Sequence, residues 1–198
     1  MIYNAANLLT LSRLALVVVF FVTLAFQSLW AVPVLIVAGI TDLLDGWIAR
    51  RFNQLTDFGR VADPVIDKIL ICSGFIWLAK HSPPSFLVPW TASNLVVPWM
   101  AAIIVGRELL VTSLRSVAEA DGVVFQASFW GKSKMVVQFA TLIYGVLVSL
   151  EWLEKGTVAN GWLVAGHILV WLTLIVTVMS GLVYLIQMDR LVRKRKSA

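Results

Sequence analysis

Asp42, Asp45, Asp63 and Asp67 stand at spacings that a helix turns into faces. Asp42, Asp45 and Ala49 fall at i, i+3 and i+7, which is one side of a helix. Gly59, Asp63 and Asp67 fall at i, i+4 and i+8, again one side, and Gly46 and Arg50 lie on the strip beside the first pair. The connection, about residues 51–58, is short enough to return the second helix antiparallel to the first, so that the two carboxylate pairs can face each other at one depth. Asp42 and Asp45 directly follow the apolar run Val34 to Ile40, and Asp63 and Asp67 open the next run. A charge at the centre of a membrane helix costs about 2.5–3.5 kcal/mol on insertion scales, and the four together about 10–14 kcal/mol by simple addition.

Something must offset that cost, and three kinds of chemistry could. The acids could pair with Arg50, Arg51, Arg60 and Lys68 in an interfacial salt-bridge net. They could line an ion or proton pathway, which intramembrane carboxylates often mark. Or they could hold divalent cations, and oxygen-only ligands select Mg²⁺, Mn²⁺ or Ca²⁺ rather than zinc. Two divalent ions would balance four carboxylates, and a pair about 3.5–4 Å apart is the usual clamp for phosphoryl transfer. Gly46, Ala49 and Gly59 bear on the choice, because small residues on the carboxylate face leave a hollow for a substrate that a salt-bridge net does not require. Close helix packing by small residues is the plainer account of any one of them.

The elements that must position these acids follow from composition. The chain has 198 residues, 60% of them hydrophobic and 14% charged, with a mean hydropathy of +0.88. A soluble domain carries about a quarter charged residues, so the expected class is an all-α polytopic membrane protein. Helices of about 20 apolar residues cross a bilayer, and apolar stretches occur near 8–28, 31–49, 61–79, 91–113, 132–150 and 162–188. Six spans would use nearly the whole chain, so residues 1–198 are expected to form one integral domain. Trp30, Trp90, Trp130, Trp152 and Trp162 fall near segment ends, as in interfacial aromatic belts. The opening Met1-Ile-Tyr-Asn4 lacks the basic and small-residue features of a signal peptide, so the first segment is expected to remain as a membrane helix. Cys72 is the only cysteine and reads as packing. His81 and His167 lack partners at ligand spacing and read as structural.

Charge orients the bundle. With six spans, fourteen of the sixteen Lys and Arg lie on or near the side that carries both termini, and only Lys80 and Lys155 on the other. The positive-inside rule puts that side in the cytoplasm. A basic isoelectric point spread along membrane boundaries does not signal nucleic acid, which needs a patch in a binding motif. The tail Arg190 to Lys196 reads first as a topology anchor and second as a contact for anionic headgroups of membrane lipids. Arg107, Arg115, Lys132 and Lys134 are expected at the cytoplasmic ends of the fourth and fifth helices, beside the carboxylates. They read as positive-inside charge, or together as a pocket for a phosphate with Arg in bidentate fashion.

Asp42-Leu-Leu-Asp45-Gly46-Trp-Ile-Ala49-Arg50, eight residues and Gly59-Arg-Val-Ala-Asp63-Pro-Val-Ile-Asp67 resemble the signature of the CDP-alcohol phosphotransferases at all eight of its fixed positions. The resemblance implies that Asp42, Asp45 and Asp63 bind two divalent ions, Mg²⁺ or Mn²⁺, and that Asp67 is a further ligand or the general base. It implies that an acceptor alcohol attacks the lipid-side phosphorus of a CDP-linked lipid and that CMP leaves. Asn7, Gly46, Ala49, Arg50 and Gly59 would then contact the CDP-lipid. The wider chain is similar to the branch that makes phosphatidylglycerophosphate. Asn4-Ala-Ala-Asn7-Leu-Leu-Thr10-Leu-Ser-Arg13, Gly106-Arg107-Glu108 and Ala127-Ser-Phe-Trp-Gly131-Lys132-Ser-Lys134 carry that likeness. Ala6 replaces a usual Pro, and Met135 stands where a Thr usually follows. The likeness implies CDP-diacylglycerol and sn-glycerol 3-phosphate as substrates, a homodimer, and a multi-pass enzyme of the cell (inner) membrane with its site facing the cytoplasm. Inositol phosphate, serine or phosphatidylglycerol are the alternative acceptors. A cation transporter using the same acids is the rival of another class, and would move metal without releasing CMP.

Overall fold

The computed structural model describes residues 5–52, 57–83, 95–120, 129–156 and 158–196, with side chains for 12–41, 65–66, 68–83, 95–118, 131, 133–156 and 158–189. The described residues form six helices: α1 (Ala5–Ala25), α2 (Ala31–Phe52), α3 (Asp57–His81), α4 (Pro98–Ala120), α5 (Phe129–Lys155) and α6 (Asn160–Lys196). One helix corresponds to each apolar stretch of the sequence.

The fourth helix is displaced from its expected place near 91–113. Pro98 opens it, because proline is pre-shaped for a first helical turn and biases the residue before it away from helix. The helix then continues through Arg115 to Ala120, past the end of the apolar run, since good helix formers carry it on when hydropathy stops. Arg107 and Glu108 are therefore in the middle of α4 rather than at its end. The fifth and sixth helices likewise outrun their apolar stretches near 132–150 and 162–188, as α5 runs to Lys155 and α6 extends to Lys196. Pro33 sits in the first turn of α2, while Pro64 lies inside α3, which continues through it.

Tight turns join the helices where they are described. Gln27 adopts a left-handed conformation (φ 51°). Its N–H donates to Leu24 O at 3.0 Å and the Ser28 N–H to Thr23 O at 2.9 Å. This is a Schellman cap with glutamine in the position glycine favours. Gly156 (φ 67°) closes α5 with a bond from its N–H to Trp152 O at 2.8 Å.

α3 and α5 hold the middle of the bundle: α3 packs on α1, α4 and α5, and α5 on α2, α3 and α6. Two reciprocal insertions fix their approach. A Cβ at Gly74 would lie 2.5 Å from Leu142 Cδ1, and one at Gly145 would lie 2.7 Å from Leu78 Cδ1. Leucine from each helix thus fills a glycine notch in the other, and Phe20, Leu35, Phe75 and Ile104 pack the remaining core. Large apolar side chains also face outward on α1, α5 and α6, among them Val18, Val136, Ile168, Ile175 and Ile186. Helices apolar on all sides belong in an apolar surrounding, and Ser133–Lys155 and Asn160–Asp189 are each long and apolar enough to cross a membrane.

Candidate functional site

Asp42 and Asp45 lie in α2, and Asp63 and Asp67 in α3. Both pairs fall inside continuous helix, so their i, i+3 and i, i+4 spacings become shared faces. The side chains of these four, and those of Asn7, Gly46, Ala49, Arg50, Gly59 and Lys132, lie outside the described residues. One turn before Asp42, Gly39 lets α2 approach α5 closely: a Cβ there would lie 2.5 Å from the Phe139 ring.

A buried polar cluster lies where α4, α5 and α6 meet. Its centre is Glu108 on α4, which is only 5% exposed. Lys134 Nζ, from α5, donates to Oε1 at 2.5 Å and to Oε2 at 2.6 Å. Arg107 Nη1 donates to Oε1 at 3.3 Å. Gln138 Nε2 donates to Oε1 at 3.2 Å and also to Thr177 Oγ1 on α6 at 3.2 Å. One carboxylate thus collects three donors, two of them cationic. An uncompensated charge at this depth would cost several kcal/mol, which explains why the three side chains converge. Among the described residues, the cluster keeps one positive charge in excess.

The Arg107 stem crosses α6 at Gly181, where a Cβ would come within 3.3 Å of Arg107 Cγ. Arg107 Nε is buried and makes no hydrogen bond among the described residues. One turn deeper, Thr141 Oγ1 and Thr173 Oγ1 lie 2.6 Å apart, continuing the seam between α5 and α6.

Of the four basic residues singled out in the sequence, the fold brings Arg107 and Lys134 together through Glu108. Arg115 is exposed, two turns along α4 from Arg107. Lys134 is buried and both carboxylate oxygens of Glu108 hold it, so it serves as counterion as well as cation. Gln138 and Thr177 were not anticipated. A signal existed: Lys134, Gln138 and Thr141 fall at i, i+4 and i+7, and Thr173, Thr177 and Ser180 do the same on α6. Each set is a polar stripe on an otherwise apolar helix. His81 and His167 each bond through Nδ1 to a carbonyl one turn back, Trp77 O at 3.0 Å and Leu163 O at 2.9 Å.

The CDP-diacylglycerol–glycerol-3-phosphate 3-phosphatidyltransferase of Bacillus subtilis (strain 168) is 30% identical, over 81% of this chain and 92% of its own length. The enzyme of the same name from Salmonella typhimurium is 32% identical, over 79% of this chain and 84% of its own. A probable phosphatidylglycerophosphate synthase of Mycobacterium tuberculosis (strain ATCC 25618 / H37Rv) is 38% identical, over 69% of this chain and 63% of its own. The family model for CDP-alcohol phosphatidyltransferase matches residues 3–179, which include all four aspartates and the whole Glu108 cluster. The chain belongs to the CDP-alcohol phosphatidyltransferase family.

Proposed function

We propose that this protein transfers the phosphatidyl group of CDP-diacylglycerol to sn-glycerol 3-phosphate, giving phosphatidylglycerophosphate and CMP. The observation that carries the reading is the conjunction of two features. A four-aspartate motif lies on two successive helices, α2 and α3, and a buried cluster whose described residues carry a net positive charge lies on α4 and α5, both of which pack on α3. The first suits a diphosphate handled through divalent cations. The second suits an acceptor that brings a phosphate of its own, which an uncharged alcohol such as a plain sugar does not.

The donor set fits hard cations, being four carboxylates and no nitrogen or sulfur. Asp42, Asp45 and Asp63 would hold two Mg²⁺ or Mn²⁺ ions, with Asp67 as a further ligand or the base. When bound, such ions neutralise the diphosphate and the charge that develops on departing CMP. Gly46, Ala49 and Gly59 leave room beside the carboxylates for the cytidine and its phosphates, and Asn7 and Arg50 contact the same substrate. Asp67 takes the proton of the acceptor hydroxyl as its oxygen bonds to the lipid-side phosphorus and the bond to CMP breaks. Arg107 and Lys134, with Lys132 and Arg115, orient the acceptor phosphate. In this reading the six helices all cross the inner membrane, both termini and the site face the cytoplasm, and two copies form a dimer.

The test is CMP release from CDP-diacylglycerol by purified protein in Mg²⁺-containing detergent micelles, with acceptors supplied singly. Release with glycerol 3-phosphate alone, lost on chelation and restored by Mg²⁺ or Mn²⁺, is the expected result. Release only with a different acceptor would keep the carboxylate chemistry and overturn the acceptor. Metal flux through vesicles without CMP release would overturn the enzymatic reading.

A further inference from the structure

The Glu108 cluster contains two residues that carry no charge and cannot neutralise anything, yet they are among its most buried members. Gln138 is 2% exposed and Thr177 is fully buried. Both hydrogens of the Gln138 amide are committed, one to Glu108 Oε1 and one to Thr177 Oγ1, each at 3.2 Å. Among the described residues this amide is the only hydrogen-bonded link from the Glu108 carboxylate to α6. We infer that Gln138 and Thr177 are positioning residues for the acceptor phosphate: their bridge locks Glu108 between α4 and α6, and so decides which donors of Arg107 remain available. The inference rests on the reaction proposed above.

The division of labour among the donors supports it. Lys134 has a single ammonium, and it sits within 2.6 Å of both oxygens of Glu108. Arg107 gives Glu108 only Nη1, and at the longer distance of 3.3 Å. A guanidinium has five N–H donors in a fixed plane, so most of the fork is left over. The Nε of that fork is buried and makes no hydrogen bond among the described residues. Gly181 of α6 lets the Arg107 stem lie against that helix, since a side chain there would begin 3.3 Å from Cγ. Arg107 and the Gln138–Thr177 bridge therefore share α6 as their platform. Without the bridge, Glu108 Oε1 loses one of its three donors. The carboxylate can then rotate to accept two N–H groups from Arg107, the geometry that this pair of groups prefers. The fork would turn inward and the acceptor phosphate would lose it.

A mere packing role for the bridge makes a different forecast. Interhelical hydrogen bonds in membranes act as modest glue, and losing one would lower the yield and melting temperature of folded protein while leaving both KM values alone. Steady-state CMP release by the full-length protein separates the two. Thr177→Val keeps shape and removes only the hydroxyl, and Gln138→Leu removes the amide. Both are expected to raise the KM for glycerol 3-phosphate about tenfold, the scale of one hydrogen bond to a charged group. The KM for CDP-diacylglycerol should stay within about twofold, because in the proposed reaction the diphosphate is held at the aspartates and not at this cluster. Thr177→Ser restores the hydroxyl and is expected to restore the KM, which guards against a Gln138 variant that fails to fold. An unchanged acceptor KM in folded Thr177→Val, or an equal rise for both substrates, overturns the inference. A wild-type protein that releases CMP with another acceptor but not with glycerol 3-phosphate overturns the acceptor assignment instead, and the same split is then read on that acceptor. A wild type inert with every acceptor removes the reaction and the inference together.

Discussion

Asp67 and Glu108 are both carboxylates on helices of the bundle, and their neighbours suit them to opposite work. Asp67 shares a face with Gly59 and Asp63, where like charges and small residues suit it to hold or accept a positive species. Asp67→Asn keeps the size and removes the basic oxygen. It is expected to lower turnover by about a hundredfold or more, the usual worth of a positioned base, while Mn²⁺ binding followed by electron paramagnetic resonance persists. Activity close to wild type in that variant would remove the base assignment. Glu108, by contrast, is saturated by three donors and anchors structure. Glu108→Ala strands the Lys134 charge and is expected to cost about 3–5 kcal/mol, as broken buried pairs do. Thermal unfolding in detergent measures it. Adding Lys134→Met should recover much of that loss, because a buried apolar pair substitutes well for a buried ionic one; no recovery would mean that Lys134 is not the stranded charge.

The helices meet through notches rather than through matched bulk. Gly74 and Gly145 receive Leu142 and Leu78, and the receiving and inserting residues alternate between α3 and α5. Leu142 is fully buried and cannot swing aside for a new methyl group. Gly74→Ala is therefore expected to cost about 1–3 kcal/mol, the range for overpacking a tight core. The cost should shrink in a Leu142→Ala background, where the notch is no longer filled. Equal costs in the two backgrounds would show that the contact is not the cause. The end of α1 offers the reverse case. Gln27 holds a left-handed conformation that favours glycine (φ 51°), so Gln27→Gly is expected to raise the melting temperature, by about 0.5–1 kcal/mol of added stability. A loss of stability would mean that the Gln27 side chain does more than the backbone requires.

At the scale of the molecule, outward apolar faces and one-sided basic charge bear on how the bundle would sit in a membrane. The two cations assigned to the far side, Lys80 and Lys155, lie in the last turns of α3 and α5, the ends remote from the aspartates and from Lys134. That distribution predicts a cytoplasmic C-terminus. A green fluorescent protein fused after Ala198 should fluoresce, and alkaline phosphatase fused there should be inactive, since its disulfides form only outside the cytoplasm. The opposite pattern would invert the bundle and place the carboxylate site on the wrong side for a soluble cytoplasmic acceptor.

Much of this was legible in the chain itself, for a physical reason. Each of the six apolar runs became one helix, because a long apolar run buries itself most readily as a helix whose backbone groups are satisfied internally. The shared faces of the aspartates follow from spacing alone because the helical repeat is local: once α2 and α3 form, i, i+3 and i, i+4 can only be faces. Boundaries were less legible. Hydropathy ends where the apolar surrounding ends, but a helix ends where its caps and turns allow, so α4 runs from Pro98 to Ala120 and carries Arg107 at its middle. The pairing of Lys134 with Glu108, and the bridge from Gln138 to Thr177, belong to tertiary structure alone. The partners lie 26 and 39 residues apart, and only the packing of α4, α5 and α6 decides which buried charge meets which donor. The sequence by itself determined the helices, the carboxylate faces and the family, because each depends on local period or on residue order. The tertiary structure decided which cation neutralises Glu108 and which keeps free donors, because that choice depends on distances between helices that no local rule encodes.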